Sequence, residues 1–243
     1  MIYITGDTHG IIDWHKINTS NFSEQKSLSK DDYLIILGDF GGVWDGAGQD
    51  RYIINNYNRR SFTTLFIDGN HENFDLLDSF PVEEWNGGKI HRISGSVIHL
   101  MRGQVFTIED IKFFTMGGAE STDKQYRKEG VSWWEREMPS DKEYEEALRN
   151  LEKHNFDVDI VLTHCAPEGY ICKKMTAITD RSGNRLTRFL DELIMNRNLR
   201  YQYWFFGHYH DDLDQGGFSL VYKNIWEIYK DQEAMLKRRI INV

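Results

Sequence analysis

Three prolines and two cysteines in 243 residues leave this chain with little of the chemistry that staples or segments a protein. Cys165 and Cys172 have six residues between them, a spacing that fits no zinc module, so both read as reduced thiols of a cytoplasmic protein. No apolar run approaches the roughly 18–20 residues that a membrane helix needs. The N-terminal MIYITGDTHG opens as a strand, without the basic region and apolar stretch of a signal peptide, so no membrane partner is expected. Repeats, low-complexity tracts and Pro/Gly/Ser linkers are missing too, which favours one domain over residues 1–243. Basic residues are scarce: 29 Lys and Arg stand against 38 Asp and Glu, for a net charge of −9. That balance disfavours broad, salt-sensitive binding to a nucleic-acid backbone. It does not exclude an anionic substrate held through bound cations, which can be the largest local charges in a site.

What the chain does have is a series of short apolar runs: IYIT (2–5), YLIIL (33–37), TLFI (64–67), IVLT (160–163) and YWFF (203–206). They are too short for helices and continuously apolar, as strands buried on both faces are. Helical spacing lies between them. Ser140-x-x-Glu143 reads as a capping box ahead of Tyr144, Ala147, Leu148 and Leu151, and Leu186, Phe189, Leu190, Leu193 and Ile194 repeat that spacing. YIINNY (52–57) suggests a helix before the third strand. From about 90 to 116, KIHRI, SVIHL, QVFTI and IKFFTM read as antiparallel hairpins, with FSLVY and WEIYK as a further pair. The tail KDQEAMLKRRIINV is expected to form a small surface element. The pattern as a whole predicts two packed sheets with helices outside.

Each of the five runs leads directly into small and polar residues: GDTHG (6–10), GDFGG (38–42), GNHE (69–72), HCAP (164–167) and GHYH (207–210). Ligands of open α/β sheets bind outside the carboxyl ends of the strands. One crevice could therefore receive Asp7, His9, Asp39, Asn70, His71, His164, His208 and His210. Imidazole and carboxylate without thiolate suit manganese, iron or zinc. Asp-x-His and His-x-His place alternate side chains on one side of an extended segment, where they can chelate. Taken singly, each motif is more readily a turn or a satisfied polar residue. Five such motifs, each behind a buried-strand pattern, are hard to explain as independent turns.

The ordered set D-x-H, G-D-x-x-G, G-N-H-E, an isolated strand-end His and G-H-x-H resembles the calcineurin-like metallophosphoesterase superfamily across residues 6–210. The resemblance implies an α/β fold, a four-layer α/β/β/α sandwich of two mixed sheets flanked by helices. It also implies two divalent cations, with manganese preferred over iron or zinc. Asp7, His9 and His210 would hold one cation and Asn70, His164 and His208 the other, with Asp39 bridging. His71 would be catalytic rather than a ligand, contacting the scissile phosphate and assisting the leaving group. The implied activity is hydrolysis of a phosphate ester by in-line attack of a metal-bridging hydroxide. A small phosphorylated substrate of diester or nucleotide type is expected. A nuclease or a non-catalytic metal-binding scaffold of the same fold are the alternatives, and nothing in the sequence sets an oligomeric state.

One departure narrows the substrate. Protein phosphatases of the superfamily carry Asp-Arg after the second motif, whereas GDFGGVW has Gly42 and Val43 there. That weakens a protein Ser/Thr phosphatase assignment and leaves His71 without its expected orienting partner. GGAESTDKQYRKEGVSWWERE (117–137) reads as a loop covering the site to about residue 140. Lys124 or Arg127 would contact a substrate phosphate there. Trp133 and Trp134 would either stack on a base or anchor the loop. Lys173, Lys174 and Arg181 in EGYICKKMTAITDRSGN (168–184) read as a solvated rim.

Overall fold

The computed structural model describes residues 1–170 and 183–241, so Cys172, Lys173, Lys174 and Arg181 lie outside the described residues. The five buried runs all form strands: β1 (Ile2–Thr5), β2 (Tyr33–Leu37), β3 (Thr63–Ile67), β9 (Ile160–Thr163) and β10 (Tyr203–Phe206). The region of closely spaced runs supplies β4 (Val82–Trp85), β5 (Gly88–Ser94), β6 (Val97–Leu100), β7 (Gln104–Ile108) and β8 (Ile111–Met116). Four further strands, β11 (Leu213–Gln215), β12 (Phe218–Leu220), β13 (Ile225–Lys230) and β14 (Leu236–Ile241), lie near the C-terminus.

These strands divide into two mixed sheets, ordered β14-β13-β1-β2-β3-β6-β5-β4 and β11-β12-β10-β9-β8-β7. The hairpins β5–β6 and β7–β8 form as expected, but the chain changes sheet between them: β6 adds in parallel to β3, and β8 in parallel to β9. FSLVY and WEIYK do not pair with each other. The first joins β10 in one sheet and the second joins β1 in the other. The tail is likewise more than a surface element, since Leu236–Ile241 closes the edge of the larger sheet against β13.

Alternation within the strands builds the layers, because successive side chains point to opposite faces. Ile2, Ile4, Ile35, Leu37, Leu65 and Ile67 face the other sheet, meeting Phe113, Ile160, Leu162 and Phe205. Tyr3, Leu34, Ile36 and Phe66 face outward, covered by Ile17, Phe22, Ile53 and Tyr57. Of these, Ile53 and Tyr57 belong to α1 (Gly48–Asn58). A short helix α2 (Phe74–Leu77) closes the same side with Phe74 and Leu77. On the second sheet, Phe114, Val161, Trp204 and Phe206 pack under α3 (Asp141–Lys153) and α4 (Arg185–Met195). The α3 capping box is present, with Ser140 N–H donating to Glu143 Oε2 at 2.7 Å. Among the described residues no helix is long and apolar enough to cross a membrane.

Candidate metal centre

The topology sets β1, β2 and β3 side by side and parallel in one sheet, and β9 and β10 side by side and parallel in the other. Their carboxyl ends therefore open onto one place, although they come from both layers. All eight side chains expected at the strand ends meet there. Asp7, His9 and His210 offer ligand atoms within 4.8 Å of one another, and so do Asp7, Asp39 and His164. Asp39 Oδ2 lies 3.4 Å from His9 Nε2 and 3.4 Å from His164 Nε2, facing a histidine from each sheet. Asn70 Oδ1 is 3.3 Å from His164 Nε2, and the rings of His164 and His208 sit 5.0 Å apart.

The backbone is held in an unfavourable conformation to achieve this. His9, Asp39, His208 and His210 all have positive φ, between 43° and 69°. Left-handed conformations at non-glycine residues cost about 1–3 kcal/mol each and cluster where function requires them. Close approach completes the cradle: a Cβ on Gly69 would collide with Asp39 Oδ1, which is why the turn before Asn70 and His71 is glycine.

The protonation pattern suits cations. His9 Nδ1 donates to Asp13 Oδ2 at 2.7 Å and His164 Nδ1 donates to the Leu37 carbonyl at 2.6 Å, since neither oxygen can be a donor. Both rings thus turn Nε2 toward the centre, the arrangement that orients metal-binding histidines. Burial opposes charge on Asp39, but His164 beside it holds the carboxyl well below the usual range. Burial likewise opposes charge on His164, yet Asp39 and Asp7 raise it to about 9. A histidine proton between two buried carboxylates occupies ground that a bound cation would take over, because metal binding releases ligand protons. Asp7 Oδ2 is buried with no hydrogen-bond partner, 3.2 Å from His210 Nε2. An orphaned carboxylate oxygen among imidazoles, with no thiolate, fits a hard or borderline divalent ion.

A family model described as calcineurin-like phosphoesterase matches residues 1–212. The chain belongs to the calcineurin-like phosphoesterase family. Its donor set accommodates the divalent cations that membership implies. No curated protein matches the chain significantly. A structure of a putative 5'-nucleotidase from Staphylococcus aureus, in complex with alpha-ketoglutarate, aligns with a TM-score of 0.52 at 13% identity. It covers 100% of this chain and 54% of that one, so the present chain spans about half of the neighbour's length. The phosphopantetheinyl hydrolase of Mycobacterium tuberculosis gives a TM-score of 0.43 at 15% identity over 98% of this chain and 95% of that one. At 13% identity the S. aureus likeness shows the fold and leaves substrate open.

Several supports of this centre escape a reading of the sequence. Lys16 is buried beneath the first motif and donates to the carbonyls of Gly6, Asp7 and Tyr222 at 3.2, 2.6 and 2.5 Å. Tyr222 stacks on His210, and its hydroxyl donates to Asp13 at 3.0 Å. Asp13 stands four residues after His9, a spacing visible in the sequence, whereas Lys16 and Tyr222 carry no such signal.

Glu72, the fourth residue of GNHE, is fully buried and accepts from the Phe40 N–H at 2.8 Å, bracing the turn that carries Asp39. Burial first, and then Asp39, push its carboxyl well above the usual range. Glu72→Gln keeps that acceptor, and wild-type melting and activity are expected. Glu72→Ala strands a buried N–H, and thermal unfolding is expected to show a loss of about 1–3 kcal/mol.

Segment 117–140 is tied down at several points. Lys124 pairs with buried Glu137 at 2.9 Å and with Glu120 at 3.2 Å, beneath Trp133. Trp134 is buried and donates to Asp75 at 2.8 Å, so it anchors the loop and offers no face to a base. Of the two cations, Arg127 reaches the centre, where it meets His71.

Proposed function

We propose that the chain hydrolyses a small phosphodiester or nucleotide-type phosphate ester at a centre of two divalent cations. Asp7, His9 and His210 would hold one cation, and Asn70, His164 and His208 the other, with Asp39 shared. The supporting observation is the equal 3.4 Å approach of Asp39 Oδ2 to a histidine of each set. Bound cations would supply Lewis acidity toward phosphoryl oxygens and lower the pKa of a water. The residues around them bind and orient the ester. His71, at the GNHE turn, would donate a hydrogen bond or proton to the departing oxygen. Ser121 accepts from Asn70 Nδ2 at 3.1 Å, leaving the Asn70 carbonyl for the centre. The 117–140 segment, touching Asn70 and His71, would cover the site and exclude water as part of one unit spanning residues 1–243.

The diester or nucleotide reading draws on Gly42. A side chain there would run into the Phe40 ring and come within 3.1 Å of Ile53 Cγ2, so the carboxylate of the protein phosphatases has no room. Manganese is favoured by the mixed imidazole, carboxylate and amide donors.

The test is a panel of phosphomonoesters, diesters, dinucleoside polyphosphates and nucleic acids, assayed after chelation and again with Mn²⁺. Activity is expected to vanish with chelator and return with Mn²⁺, with small diesters or nucleotides turned over best. Preferred turnover of DNA or RNA would favour a nuclease. Manganese binding without hydrolysis of any ester would favour a scaffold.

A further inference from the structure

Arg127 Nη1 lies 3.1 Å from His71 Nδ1, across 56 residues of sequence. A guanidinium has no acceptor, so the contact is an N–H donated to the lone pair of Nδ1. The ring proton of His71 then belongs on Nε2, the nitrogen left to the site. The guanidinium is itself fixed from behind, with Nε 2.7 Å from Asp123 Oδ1 and Nη1 donating to the Ser132 carbonyl at 3.1 Å. Its loop is pinned at both ends, by Ser121, which donates to Glu137 at 2.7 Å, and by the buried Trp134. Gly42, meanwhile, leaves no space for a side chain, which would run into the Phe40 ring.

We propose that Arg127 is a positioning residue acting through His71: it selects the Nε2–H tautomer and fixes the ring where a side chain at residue 42 cannot. The inference rests on the phosphoesterase reading of the centre, but it assigns Arg127 a different task from gripping phosphate. A phosphate grip would act on substrate binding and independently of His71. A positioning group acts on turnover and only while His71 is present.

A double-mutant cycle separates the two. With full-length, Mn²⁺-loaded protein and bis-p-nitrophenyl phosphate, Arg127→Ala is expected to lower kcat about 10–100-fold, as losing an outer partner of an active-site group does. KM should hold. The pair Arg127→Ala/His71→Ala should be no slower than His71→Ala alone, because residues that act as a unit are not additive. A raised KM with kcat preserved, or additive losses in the pair, would overturn the proposal. Long-range ¹H–¹⁵N spectra of the zinc-loaded protein give a readout that needs no turnover. His71 should show an unprotonated Nδ1 in wild type and lose that preference in Arg127→Ala, and a protonated Nδ1 in wild type would overturn the proposal. If wild type hydrolyses nothing, the functional reading fails, while the spectra still judge the pairing.

Discussion

Asp39→Asn is expected to lower phosphoesterase activity by at least about 10²-fold, the scale of removing one preorganised electrostatic element from an active site. The geometry of the two oxygens makes the substitution severe although the shapes nearly match. Asp39 Oδ1 accepts from the His71 N–H at 2.8 Å, so the amide carbonyl of an asparagine must take that position. Its NH₂ is then forced into the place of Oδ2, facing His9 Nε2 and His164 Nε2. A donor there cannot ligate a cation, and one negative charge is gone. The fold should survive, because the backbone contact that ties the second motif to GNHE is kept. Activity and metal content, measured on the same preparation, check the expectation, and a variant with wild-type turnover would contradict it.

The second large effect is on stability. Arg102 and Asp68 form an ion pair behind the centre, with Nε and Nη2 at 2.8 and 2.6 Å from Oδ2 and both side chains about 2% exposed or less. The same guanidinium donates to the Arg136 and Glu137 carbonyls, joining the end of β3 to the end of segment 117–137. Burial opposes the charge on Asp68, but Arg102 holds its carboxyl far below the ordinary range. Arg102→Ala leaves that carboxylate buried without its main partner, a loss of about 3–5 kcal/mol. For a chain of this size, that is a fall in Tm of roughly 6–20 °C. Adding Asp68→Asn should recover part of the loss by removing the stranded charge. The pH dependence comes from the depressed carboxyl. The wild-type advantage is full above the unfolded value near 4 and shrinks as pH falls below it. Thermal melts across that range check both statements, and equal melting of wild type and Arg102→Ala near neutral pH would contradict them.

Much of the candidate centre could be read in the sequence because its residues are the punctuation of buried strands. Each of IYIT, YLIIL, TLFI, IVLT and YWFF is a strand, and each is followed by residues that reach the centre. Periodicity identifies a strand but not its sheet. Hence the change of sheet between β6 and β7 and the separate destinations of FSLVY and WEIYK were not legible. The edge strand VEEW was missed because Pro81, Glu83 and Glu84 give it neither an apolar run nor a clean alternation. The left-handed backbone at His9, Asp39, His208 and His210 left no trace either, since the same residue types also serve in ordinary turns. Longer-range partners fared worst. Arg127 was legible as a cation near the site, but its contact with His71 depends on how the loop is pinned by Ser121 and Trp134. Arg102, Lys16 and Glu72 announce themselves only through burial, which charged residues seldom undergo unless partnered.

The central claim is that these five strand ends build one divalent-cation centre shared through Asp39. Calorimetric titration of Mn²⁺ into chelator-stripped protein, wild type and Asp39→Asn side by side, tests it most directly. The account predicts two equivalents bound by wild type and weakened or lost binding in the variant. Binding that is identical in the two proteins, or absent from both, would contradict it.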